Sequence, residues 1–205
     1  MNKLGKTGKS KNIPALLFFR LLGVGAFLLC AFSGCVTQRR VVVGLSPELE
    51  NYYSIYPSIE FDAAAVTGEE ADQIKSGGVD TYFAPGSPLR KRLEPFTVYF
   101  SQEHTQPETL PYRSAYWDRW LKKNPVTLVL IADLPHSPDM PPEDPRVLYI
   151  DLKKNSIFVR PVFIEIEPQR ITQVFEPPRD PRTNLPAENL RPDNREPEVR
   201  IHENP

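Results

Sequence analysis

Residues 59–66 read Ile59-Glu60-Phe61-Asp62-Ala63-Ala64-Ala65-Val66, and this stretch sets the fold class. Ile59, Phe61, Ala63 and Ala65 fall on one side, Glu60, Asp62 and Ala64 on the other. Alternation with period two predicts a half-buried β-strand. Downstream, Val126–Ala132 reads VTLVLIA and is apolar on both faces, as a central strand requires. Upstream, Val41–Leu45 (VVVGL) carries the β-branched residues that favour a strand. Phe96–Ser101 alternates again, with Phe96, Val98 and Phe100 directed inward.

Further along, Val147–Leu152, a turn at Lys153–Asn155 and Ser156–Glu167 are predicted to form a β-hairpin whose second arm changes face near Pro161. Ile171–Phe175 supplies a last short strand. Helical signals are few. Thr67 can cap a short helix running through Gln73–Ile74, with Gly77-Gly78 as its stop and an irregular Val79–Arg92 after it. Ser114 is expected to cap a second helix to Lys123, with Trp117, Trp120 and Leu121 on one face. The chain has 23 prolines, many between apolar runs, which speaks against a helical bundle because proline costs about 3 kcal/mol inside a helix.

The expectation is a mainly β domain over residues 41–175: a β-sandwich of about seven strands with one or two short helices. A mixed α+β sheet carrying the Trp helix on one face is the competing architecture. Residues 176–205 hold seven prolines, many charges and scattered aliphatics. Such a composition buries too little surface to offset ordering entropy, so a disordered tail is predicted there.

The N-terminus has another character. Residues 1–20 carry Lys3, Lys6, Lys9, Lys11 and Arg20 with no acid, and LLGVGAFLLCAFSG then runs to Cys35. A basic stretch, a short apolar core and a small-residue junction mark a secretory signal peptide over residues 1–34. The apolar run makes a helix of roughly 21 Å, short of the ~30 Å hydrocarbon core. Phe32-Ser33-Gly34-Cys35 resembles the lipobox of bacterial lipoproteins. That resemblance implies cleavage before Cys35, a diacylglyceryl thioether on its sulfur and acylation of the new amine. Several acyl chains hold a protein firmly to a bilayer, each buried CH₂ contributing about 0.8 kcal/mol. Val36 in place of Asp resembles the pattern of lipoproteins sent to the outer membrane. Residues 35–40 would then be a lipidated tether of at most roughly 18 Å beyond the cysteine.

Loss of residues 1–34 leaves 171 residues with 20 basic and 26 acidic side chains, a net charge of −6. This balance does not favour nucleic acid as a partner, which selects a basic surface. Cys30 leaves with the signal, so the mature domain has no thiol for a disulfide, a nucleophile or a metal.

Candidate chemistry is sparse. His104, His136 and His202 lack convincing partners; His136 beside Asp139, Glu143 and Asp144 is a proline-separated, solvated loop rather than a metal site. Glu69/Glu70 and Glu165/Glu167 are neighbours, not carboxylates facing across a cleft. No hydrolase, phosphate-loop or zincin motif is present, so neither an enzyme nor a cofactor is expected. Arg90-Lys91-Arg92 is read as a solvated loop, with anionic lipid as its alternative neighbour. Trp117 and Trp120 are expected in the core, with a ligand-stacking platform as the alternative. Tyr52, Tyr53 and Tyr56 lie in the predicted loop Ser46–Ser58, and either anchor a protein partner or fold back to fill one end of the domain.

This order of lipidated Cys35, tether, strand Val41–Leu45, loop Ser46–Ser58, strand Pro57–Val66, aromatic insertion Glu69–Arg92 and hairpin Val147–Glu167 resembles the outer-membrane lipoproteins of type VI secretion systems (TssJ-like). The resemblance implies a non-catalytic β-sandwich whose loop after the first strand, here Tyr52–Tyr56, contacts the periplasmic part of an inner-membrane partner. The expected function is a membrane-anchored, protein-binding component of an envelope assembly, facing the periplasm. A lipoprotein binding a small molecule or glycan through Trp117 and Trp120 is the alternative.

Overall fold

The computed structural model describes residues 38–135, 143–153 and 160–187. The expected signal peptide, Cys35, His136, Asp139 and His202 lie outside the described residues. Two four-stranded sheets make up the domain, which is mainly β. Sheet I has the order β4 (Glu108–Leu110), β1 (Val41–Leu45), β7 (Val162–Ile166), β8 (Ile171–Val174). Sheet II has the order β3 (Phe96–Phe100), β2 (Ile59–Val66), β5 (Thr127–Ala132), β6 (Val147–Asp151). Sheet II is antiparallel throughout, whereas β1 and β7 of sheet I run parallel in the register Val43↔Ile164. Val41, Val43, Leu45, Ile164 and Ile166 from one sheet join Phe61, Ala63, Phe100, Leu128 and Leu130 from the other in a single core.

Four helices are present among the described residues, more than expected: α1 (Glu48–Tyr53), α2 (Gly68–Phe83), α3 (Pro88–Leu93) and α4 (Ala115–Leu121). The α2 start follows the sequence signal. Thr67 Oγ1 accepts from Glu70 N–H at 3.3 Å, and the Glu70 carboxylate accepts from Thr67 N–H at 3.0 Å, a reciprocal capping box. Gly77-Gly78 does not stop this helix. Gly78 takes φ +75 and kinks it, and the helix resumes because Val79 and Tyr82 are buried and the Tyr82 hydroxyl bonds Asp62. Ser114 sits at the head of α4 but makes no capping hydrogen bond through its side chain.

Two further expectations are corrected. The strand Ile59–Val66 is buried on both faces, because α2 and α3 cover the side that carries Asp62 and Ala64. Among the described residues, Val147–Asp151 and Val162–Ile166 do not pair with each other as the expected hairpin would require. β6 pairs with β5, while β7 crosses to the other sheet, where β1 offers it a parallel ladder. The segment from 176 onward is ordered at least to residue 187, and residues 188–205 lie outside the described residues. Pro178 lies over Gly44 of β1, where a Cβ would come within 2.7 Å of the ring. Asp180 is 3% exposed and accepts from Thr105 Oγ1 at 2.8 Å and Thr183 Oγ1 at 2.9 Å. Buried Pro178 and Ala187 and a few specific polar bonds hold residues 176–187 on the domain, which overall composition does not report.

Candidate functional site

The connection from β1 to β2 forms one end of the domain. Ser46 Oγ accepts from Glu48 N–H at 3.3 Å, and Glu48 and Glu50 occupy the positive, N-terminal end of α1. Leu49, fully buried, fixes the helix to the core. Ser54 at φ 63 then turns the chain through the left-handed region. That turn separates the aromatic residues. Tyr52 (60% exposed) and Ile55 (56%) face solvent, whereas Tyr56 (2%) enters the core.

Each tyrosine therefore has its own environment. Tyr53 is half-buried, and its hydroxyl donates to the Pro168 carbonyl at 2.8 Å. Burial, then the neighbouring Tyr52, pushes its pKa above the ordinary phenol value. Tyr52 packs edge-on against Tyr53 at 4.8 Å, and its oxygen accepts from Gln169 Nε2 at 3.1 Å. The β7–β8 turn thus holds both rings from behind. The backbone N–H of Tyr56 donates to Gln102 Oε1 at 2.8 Å, and burial followed by Glu50 raises the phenol pKa. Of the three tyrosines named from the sequence, only Tyr52 keeps an openly accessible ring; Ile55 joins it. The signal for Ile55 was an aliphatic residue just after a serine that ends a short helix.

Of the basic run, Lys91 and Arg92 are exposed, as expected, but Arg90 turns inward. Arg90 Nε donates to Asp62 Oδ2 at 2.7 Å and Nη2 to Oδ1 at 3.1 Å; Nη2 also bonds Glu60. Tyr82 at 2.9 Å and Thr97 at 2.6 Å complete the donors around Asp62, which is 1% exposed. Burial pushes the Glu60 carboxyl up, but hydrogen bonds from Arg90 and Tyr99 and the Arg90 charge hold it below its ordinary value. A second buried guanidinium, Arg146, bonds Asp144 at 2.8 Å, Asp80 at 2.7 Å and the Leu134 carbonyl at 2.9 Å. Asp144 is thereby committed to Arg146. In both clusters one guanidinium is hydrogen-bonded to two carboxylates, so each buried charge faces an opposite one.

Trp117 and Trp120 are 0% and 1% exposed and meet edge-on at 5.3 Å. Their indole N–H groups donate to the carbonyls of Arg39 at 3.1 Å and Leu93 at 3.2 Å. Neither ring presents a face to a ligand. Glu70, one of the paired carboxylates, serves the α2 cap, and Glu167 accepts from Arg170 at 2.6 Å and Thr172 at 2.7 Å. His104 lies 3.2 Å from Glu108 as an exposed i,i+4 pair, stacked on Phe100. Among the described residues, no three His, Cys, Asp or Glu side chains gather to hold a metal ion, and no helix is long and apolar enough to cross a membrane.

The sequence matches no protein-family model and no curated protein. Two solved structures are similar to it. One is the C-terminal domain of the type VI secretion protein TssM from EAEC, at 7% identity and a TM-score of 0.47, covering 66% of this chain and 99% of that one. The other is the type VI secretion lipoprotein TssJ1 from Pseudomonas aeruginosa, at 13% identity and a TM-score of 0.45, covering 69% of this chain and 99% of that one.

Proposed function

We propose that this protein is a non-enzymatic lipoprotein, acylated at Cys35 and held in the outer membrane, that binds a periplasmic protein partner within an envelope assembly of the type VI secretion kind. The lipobox-like Phe32-Ser33-Gly34-Cys35 supports the anchor. One observation carries the binding role: Tyr52 and Ile55, three residues apart, both stand exposed in a helix–turn segment whose other anchors, Leu49, Tyr53 and Tyr56, are tied down. A rigidly backed, exposed aromatic–aliphatic pair binds with little entropy left to lose, which is the usual character of an interface anchor. Lipid confinement to a plane raises the effective concentration of such a pair for partners in the same envelope.

Purified intact lipoprotein, used as bait in solubilised membranes, tests the role. Tyr52→Ala and Ile55→Ala should each reduce capture by about tenfold, the scale of an interface hot spot, while stability changes by less than about 0.5 kcal/mol. Tyr56→Ala should instead unfold the domain more readily, by about 3–5 kcal/mol. Undiminished capture by both surface variants overturns the binding assignment. Mass spectrometry showing an unacylated residue 35 overturns the anchor.

A further inference from the structure

The strands of sheet I end together at the pole from which the chain leads back to Cys35. The register pairs Val41 with both Leu110 and Val162, and Phe163 with Val174. Just beyond these ends stand Arg39 and Arg40 before β1, Tyr112 and Arg113 after β4, Arg160 before β7 and Phe175 after β8. Phe175 is 100% exposed and Tyr112 46%. The guanidinium carbons of Arg40 and Arg113 lie 5.5 and 5.8 Å from the Tyr112 ring centroid, so two cations bracket one aromatic ring. Among the described residues none of the four arginines forms an ion pair with a carboxylate, and Glu176 is the one acid in the same strand-end positions.

The geometry points to this pole as a contact surface for a bilayer carrying anionic phospholipid; the inference rests on the Cys35 anchor proposed above. Five residues, 36–40, separate Cys35 from β1 and reach at most roughly 18 Å. That limit is about two Debye lengths at physiological salt, where a surface charge is largely screened. The attraction therefore acts when the tether is less than fully extended and the pole lies within about one Debye length of the bilayer. Guanidinium groups hydrogen-bond phosphate in a fixed fork, and aromatic rings settle at the headgroup level. Such contact sets an orientation that a bare lipid anchor leaves free. The Tyr52–Ile55 loop follows the opposite end of β1, so docking points it away from the membrane.

The acylated chain has no free thiol once Cys35 is modified, so a nitroxide can be placed uniquely. Phe175→Cys and, at the other pole, Ile55→Cys are labelled and the lipoprotein is reconstituted into vesicles of pure phosphatidylcholine or with about one third phosphatidylglycerol. The label at 175 should enter the headgroup region on the anionic vesicles only, and about 0.5 M NaCl should release it, while the label at 55 stays aqueous throughout. Arg113→Gln with Arg160→Gln should lower the docked-to-free ratio about 25-fold, near fivefold for each charge. The salt arm uses the native arginines and does not depend on how the variants fold. Equal immersion in both vesicle types, or an aqueous label at 175 in both, overturns the docking and leaves the anchor intact. Failure to recover acylated Cys35 removes anchor and docking together.

Discussion

Replacing Arg90 by methionine should be among the most destabilising single changes in the domain. Methionine keeps most of the apolar stem but removes the charged guanidinium, whose carbon lies 4.9 Å from the centroid of the Phe83 ring. Asp62 is then left 1% exposed on β2 with only the Tyr82 and Thr97 hydroxyls as side-chain donors. Removing one partner of a buried ion pair costs about 3–5 kcal/mol, because the other charge stays desolvated. Arg90 is itself 23% exposed, so the lower end, about 3 kcal/mol, applies. For a domain of this size that is a fall of about 9 °C in melting temperature. Thermal melts at neutral pH measure it directly. Asp62→Leu together with Arg90→Met should recover most of the loss, since the deeply buried charge is gone and the carboxylate that loses Arg90, Glu60, is 21% exposed and keeps its Tyr99 hydrogen bond. A single variant melting within about 2 °C of the parent, or a double variant no better than the single, would show that the Asp62 charge is not held as described.

Gly44→Ala should lower stability by about 1–3 kcal/mol and speed hydrogen exchange in residues 179–187, because the new methyl meets the rigid Pro178 ring at 2.7 Å. Unchanged exchange would mean that Pro178 does not lie on β1. Asp180 should make the fold acid-sensitive. Burial raises its pKa, but the Arg182 N–H, Thr105 and Thr183 outweigh that and hold it below the ordinary Asp value. Its stabilisation is therefore full above about pH 4 and lost as pH falls through the depressed folded value; Asp180→Asn should flatten that part of a melting profile taken from pH 6 to 2. Tryptophan emission should be blue-shifted and poorly quenched by acrylamide until urea unfolds the chain, given that both indoles are at most 1% exposed. Strong quenching in the native state would reopen the ligand platform.

Local pattern carried the two-sheet, mainly β class. Alternation in Ile59–Val66 and Phe96–Phe100 and the apolar run in Val126–Ala132 were legible because a strand's side-chain period is a property of its own backbone. The Thr67 box was legible for the same reason, since its bonds span three residues. The Cys35 motif is likewise local, and the proposed anchor rests on it alone.

Pairing depends on partners far away in sequence. Nothing within Val147–Ile166 tells β7 to leave β6 and run parallel to β1, because the competing ladders differ in distant residues. Nor could composition separate Tyr52 from Tyr56, four positions apart on one loop; the left-handed turn at Ser54 and the Pro168, Gln169 and Gln102 contacts make that distinction. The charged run at Arg90 and the proline-rich stretch around Asp180 gave the same lesson. Solvated segments by composition, both are held by polar groups 28 and 75 residues away. Periodicity and short motifs report what one stretch of chain can do, while burial, register and charge pairing are set by whichever distant surface satisfies it.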